Sequence, residues 1–127
     1  MQEWFLPNAH EETIVDYTKA IELDPKDACA YFNRGSAYNK LKKYEETIAD
    51  YTKAIELDPK DACAYFNRGF AYNEIKKYEE AIADYTKAIE LDPKDAAACI
   101  GRGNAFNALG KTKEAEADFE KAKKLKK

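Results

Sequence analysis

At 127 residues the chain has the length of one domain, or of one continuous stack, and can bury a core. Charged residues make up 35%, apolar ones 45%, and the formal net charge is −3. This mixed balance provides no basic field for nucleic acid or an anionic membrane. No apolar run approaches the roughly 20 residues that span a bilayer, and no charged-then-apolar leader is visible. Three cysteines, an odd number, make no disulfide framework, and a cytoplasmic location is the expectation.

The chain opens with an apolar arm, residues 1–7, in which Trp4-Phe5-Leu6 is closed by Pro7. It reads either as the last turn of a helix or as an aromatic arm that docks in a groove and self-associates, and it is expected to pack. Residues 8–27 read as a lone helix. Asn8 with Glu11 three residues on is a cap signature. Ile14, Tyr17, Ala20 and Ile21 fall on one helical face, and Asp24-Pro25 ends the run.

Residues 28–61 then form a unit that residues 62–95 copy almost unchanged. Only Ser36/Phe70, Lys40/Glu74, Leu41/Ile75 and Thr47/Ala81 differ, and residues 11–27 repeat the second half of the unit. Repetition at this period means stacked supersecondary units, each burying its apolar face on the next. Within the unit, Asp27 caps a first helix. Ala28, Tyr31, Gly35, Tyr38 and Leu41 form a packing stripe in which Gly35 and Ala37 admit a partner helix. Cys29, Phe32, Ser36 and Asn39 form a second stripe turned away from it. Lys42-Lys43 marks a turn. The second helix, about residues 45–57, is expected to bury Thr47, Ile48, Tyr51, Ala54, Ile55 and Leu57 and to keep Glu45, Glu46, Asp50, Lys53 and Glu56 wet. Pro25, Pro59 and Pro93 set the register, and nothing reads as a strand.

The third copy, residues 96–127, has Glu116 and Lys123 where the others have Ile48/Ile82 and Ile55/Ile89. Charge at buried-type positions predicts a polar outer face, so this copy reads as a cap. Arg34, Arg68 and Arg102 recur one period apart. Each is expected to pair with an Asp or Glu of a neighbouring helix; a basic ladder for an acidic partner is the other reading.

The unit resembles the tetratricopeptide repeat. Tyr31, Gly35, Tyr38, Thr47, Tyr51, Ala54 and Pro59 carry the likeness in the first copy, and Tyr65, Gly69, Tyr72, Ala81, Tyr85, Ala88 and Pro93 in the second. The third keeps Gly103, Phe106, Ala115, Phe119 and Ala122, with Cys99 where an aromatic belongs. Lys42 and Lys76 replace the family's turn glycine, which is present at Gly110. The resemblance implies an all-α, right-handed superhelical solenoid of antiparallel helix pairs, three full repeats after a lone second-half helix, whose first helices line a concave groove. It also implies binding of peptide segments. The second stripe then supplies the groove: Phe32, Asn33, Ser36 and Asn39, then Phe66, Asn67, Phe70 and Asn73, then Ile100, Asn104 and Asn107. Asparagine offers a donor and an acceptor on one short arm. The family's lysine–asparagine clamp for a C-terminal carboxylate falls on Phe32, Ser36, Asn67, Ala97 and Gly101, of which only Asn67 matches.

Other classes find little here. His10 has no nucleophile at useful spacing, and no phosphate-binding glycine loop occurs, so neither an enzyme nor a cofactor is expected. Cys29 and Cys63 have only the distant His10 to join a metal site. The alternatives to a peptide-binding scaffold are a self-assembly module built on Trp4, Phe5, Leu6 and the lone helix, or a designed, consensus-like repeat with no natural ligand.

Overall fold

The computed structural model describes residues 8–126. Those residues form seven helices: α1 (Ala9–Leu23), α2 (Ala28–Lys40), α3 (Tyr44–Leu57), α4 (Ala62–Glu74), α5 (Tyr78–Leu91), α6 (Ala96–Ala108) and α7 (Thr112–Leu125). No strand occurs among them.

Local chemistry sets the boundaries. Asn8 Oδ1 accepts from the Glu11 amide at 2.9 Å, and Asp27, Asp61 and Asp95 cap α2, α4 and α6 through their carboxylates. Each such cap is worth about 1 kcal/mol. α3, α5 and α7 begin on lysines with no side-chain cap. Within each Asp-Pro-Lys turn the carboxylate of Asp24, Asp58 or Asp92 accepts from the lysine amide two residues on.

The turn inside each pair reverses through a left-handed residue. Lys42 has φ 60°, Lys76 φ 66° and Gly110 φ 77°. Around Lys42, its own amide bonds Asn39 O at 2.9 Å and the Lys43 amide bonds Tyr38 O at 3.0 Å, a Schellman closure that satisfies the carbonyls left over at the end of α2. The same two bonds recur at Lys76 and Gly110. The two lysines carry a left-handed strain of about 1 kcal/mol each, which Gly110 avoids.

Each helix packs on the next in sequence, and α2, α4 and α6 also touch along one side of the stack. Small residues make the approach close. A Cβ on Gly35 would sit 3.2 Å from Asp50 Cβ and from the Tyr51 ring, and one on Gly103 would sit 2.7 Å from Phe119. Thr47, Tyr51, Ala54 and Ile55 are buried as expected, whereas Ile48 and Leu57 are only half-buried. Ala30, Ala64 and Ala98, absent from the predicted packing stripe, are buried as well.

Asp50 corrects the sequence reading. Expected wet, it is 5% exposed, and Asp84 and Asp118 are buried alike. The reason is the arginine 16 residues earlier. Arg34 Nε and Nη2 donate to the two Asp50 oxygens at 2.8 and 2.7 Å, and Nη1 reaches Thr18 Oγ1 on the preceding helix at 3.3 Å. Arg68 repeats this with Asp84 and Thr52, and Arg102 with Asp118 and Thr86. The Arg34 guanidinium also lies 5.9 Å from the ring centres of Tyr31 and Tyr38. One arginine per repeat thus ties three helices together. At the far end Glu116 and Lys123 are exposed.

Candidate functional site

The helices that carry the predicted groove residues, α2, α4 and α6, touch one another along the stack. What they offer differs along it. At the α2–α4 step, the Phe32 ring leans on Tyr51, with centroids 5.3 Å apart, and the Ser36 hydroxyl shares a 2.7 Å hydrogen bond with the Tyr51 hydroxyl. Burial pushes the Tyr51 pKa up, partly offset by Ser36 and Asn67, which lie against its hydroxyl. This floor is polar.

At the α4–α6 step the same positions hold other chemistry. Phe70 replaces Ser36 and Gly101 replaces Asn67, and neither can bond the Tyr85 hydroxyl. A Cβ on Gly101 would fall 2.6 Å from Tyr85 Cζ, so the absent side chain is what lets this ring settle against α6. Burial holds the Tyr85 phenol far above its ordinary range, with Glu74 and Asp84 adding to the effect. Phe66 packs edge-on to Tyr85 at 5.6 Å and joins the buried cluster. Phe70 is left 39% exposed beside them. This half is apolar, with the Phe70 ring exposed.

The other predicted residues divide by what they touch. Asn33 lies between two clefts, one of about 230 Å³ shared with Ser36 and one of about 150 Å³ shared with Phe32 and Cys29. Asn104 and Asn107 are exposed. Asn39 and Asn73 are half-buried, and their amide oxygens are shut from solvent with no donor. These two oxygens are therefore not offered as acceptors at the surface. Ile100 opens onto a separate cleft of about 260 Å³ with Phe119 and Ala122, at the end of the stack. Trp4, Phe5 and Leu6 lie outside the described residues. A cleft of about 510 Å³ lies away from these helices, on α1 against Val15 and Asp16.

Cys29 and Cys63 are exposed and Cys99 is buried. Burial raises the thiol pKa of Cys63 and Cys99. No group of three or more potential metal ligands occurs among the described residues. Nor, among them, is any helix long and apolar enough to cross a membrane.

Comparison with known proteins agrees with this geometry. Family models described as tetratricopeptide repeat match residues 28–61, 62–95 and 96–127, and one described as TPR repeat matches residues 7–42. No curated protein matches significantly. A crystal structure of MamA superposes with a TM-score of 0.90 at 29% identity, over 92% of this chain and 68% of that one. A further MamA structure is covered over 63% of its length, so the chain spans about two thirds of these neighbours. The Arabidopsis OM64 TPR domain matches with a TM-score of 0.76 at 36% identity, over 77% of this chain and 81% of that one. The first TPR of Spaghetti (RPAP3), bound to the HSP90 peptide SRMEEVD, matches with a TM-score of 0.76 at 35% identity, over 80% of this chain and 81% of that one. The helix pairs therefore wind as the right-handed solenoid of such proteins, and the chain belongs to the tetratricopeptide repeat family.

Proposed function

We propose that this protein is a non-enzymatic, cytoplasmic interaction scaffold that holds a peptide segment of a partner protein in the groove of α2, α4 and α6. The observation that carries the reading is Phe70, a large aromatic ring left 39% exposed beside Phe66 and the Tyr85 ring. An apolar anchor of the ligand fits there, worth about 1.5–3 kcal/mol when fully buried. Asn104 and Asn107 supply open amides further along, and Asn33 and Ser36 supply polar contacts at the other end. A peptide-bound structural neighbour supports the reading. The peptide it holds does not suit this groove, because the carboxylate-clamp positions other than Asn67 carry the wrong residues. The partner's backbone rather than a charged terminus is what this groove suits. Nucleic acid and membrane are not expected partners.

Selection from a random peptide display library tests this. Enriched peptides sharing an apolar anchor should bind the chain and lose about tenfold or more in affinity on Phe70→Ala, with helicity unchanged. Phe66 is a poorer probe, because it also packs against the core. Failure to enrich any family of peptides, or binding indifferent to Phe70, contradicts the proposal.

A further inference from the structure

Two of the sites at which α2 and α4 differ, Ser36/Phe70 and Lys40/Glu74, lie one turn apart on the same helical face. In α2 that face lines a cleft, with Ser36, Ala37 and Lys40 along its wall. In α4 it carries an exposed ring and an exposed carboxylate. No ion pair reaches Glu74 among the described residues. The carboxylate stands near the Tyr85 phenol, where its charge adds to burial in keeping that group protonated.

The Tyr85 hydroxyl is the second unused group. Tyr85 is 2% exposed, and among the described residues no hydrogen bond reaches its oxygen. Tyr51, one repeat earlier, has Ser36 and Asn67 against the same atom, whereas Phe70 and Gly101 stand in their places and offer nothing. Among the described residues, the side-chain oxygens both unpaired and shut from solvent are those of Asn39 and Asn73, so the Tyr85 oxygen keeps an opening. A Cβ on Gly101 would fall 2.9 Å from that oxygen, an approach the glycine leaves free. A buried phenol, an unpaired carboxylate and a bare aromatic face thus stand together, all short of a donor.

We infer that the α4–α6 step receives an arginine of the bound segment, its guanidinium lying over the Phe70 ring and donating to the Glu74 carboxylate and the Tyr85 oxygen. This rests on the groove reading above and names the side chain that sits beside the apolar anchor. Arginine suits the site better than lysine because the two acceptors stand on different helices. Its planar fork of N–H groups reaches both while stacking on a ring, which a compact ammonium does not do. An acidic side chain would meet Glu74 and be repelled. At the α2–α4 step Lys40 replaces Glu74 and the Tyr51 hydroxyl is already bonded, so the arginine also sets the register of the segment along the stack.

The probe is the blocked dipeptide N-acetyl-leucyl-arginine amide, titrated into the full isotope-labelled chain. Saturable NMR shifts are expected at Phe70, Glu74 and Gly101. Citrulline in place of the arginine keeps its shape and removes its charge, and should weaken binding about tenfold. Glu74→Gln should weaken the arginine peptide as much and leave the citrulline peptide unaffected, the coupling of a direct pair. Tyr85→Phe, which breaks no bond in the free chain, should cost about threefold. Circular dichroism should find helicity unchanged in both variants. If the two peptides bind alike, lost on Phe70→Ala but indifferent to Glu74→Gln, the arginine site is overturned and the groove stands. No binding of the arginine peptide, or shifts away from α4 and α6, also overturns the site, and the display selection then decides the groove. A second copy that covers Phe70 and Glu74 in the free chain, seen as shift changes on dilution, overturns it as well.

Discussion

Residues 11–23 of α1 and 45–57 of α3 are the same sequence apart from Val15 for Ala49. Yet no residue of α1 is buried, while α3 buries Thr47, Asp50, Tyr51, Ala54 and Ile55. Leu23, at the end of α1, is 88% exposed. Helix propensity cannot separate two nearly identical segments. The difference is the helix that precedes α3 and has no counterpart before α1 among the described residues. In a solenoid, stability is a sum of intrinsic unit terms and neighbour terms, and α1 keeps one neighbour where α3 has two.

Breaking the clamp should separate the two helices most. Asp50→Ala leaves Arg34 uncompensated and should cost about 3–5 kcal/mol in urea unfolding. The matched Asp16→Ala should stay within about 0.5 kcal/mol. An Asp50→Ala cost as small as that of Asp16→Ala would remove the difference on which the comparison rests.

Alkaline pH probes the same aromatic position one repeat on. Folding keeps the Tyr85 phenol protonated above its ordinary value of 10.0, where the unfolded chain has already lost the proton. The folded state then holds a proton that the unfolded state does not, so stability is intact below that pH and falls as pH rises above it. Tyr85→Phe should flatten this fall in denaturation curves taken across the range.

Smaller effects sharpen the picture at the turns and hydroxyls. Lys42→Gly and Lys76→Gly should each raise stability by about 1 kcal/mol by releasing left-handed strain. Gly110→Ala should lose about as much, since its Cβ meets nothing and only the backbone objects. Last, Tyr51→Phe should lose about 1 kcal/mol with its Ser36 bond, whereas Tyr85→Phe, having no such bond with Phe70, should be near neutral at pH 7.

The helices, their caps and their register were legible because repetition, Asp-Pro turns and cap residues act locally. Arginine pairing with a neighbouring helix was legible too. The burial of Asp50 was not, because helical periodicity counts any carboxylate as a solvent-facing residue. The signal lay in a joint recurrence: an arginine and an aspartate 16 residues apart in every copy. Ala30, Ala64 and Ala98 were missed for a related reason. Alanine suits both exposed and packed helix faces, and only the partner's position decides. Along the proposed groove, the polarity difference between its halves was written in Ser36/Phe70 and Asn67/Gly101. Its meaning depends on Tyr51 and Tyr85, which reach those residues from other helices.

Native-state hydrogen exchange on α1 and α3 tests most directly whether neighbours, rather than helix sequence, hold each element. Amides of Thr18–Ile21 should exchange at least tenfold faster than those of Thr52–Ile55, since local opening of α1 uncovers far less packed surface. Equal protection in the two segments would contradict that account.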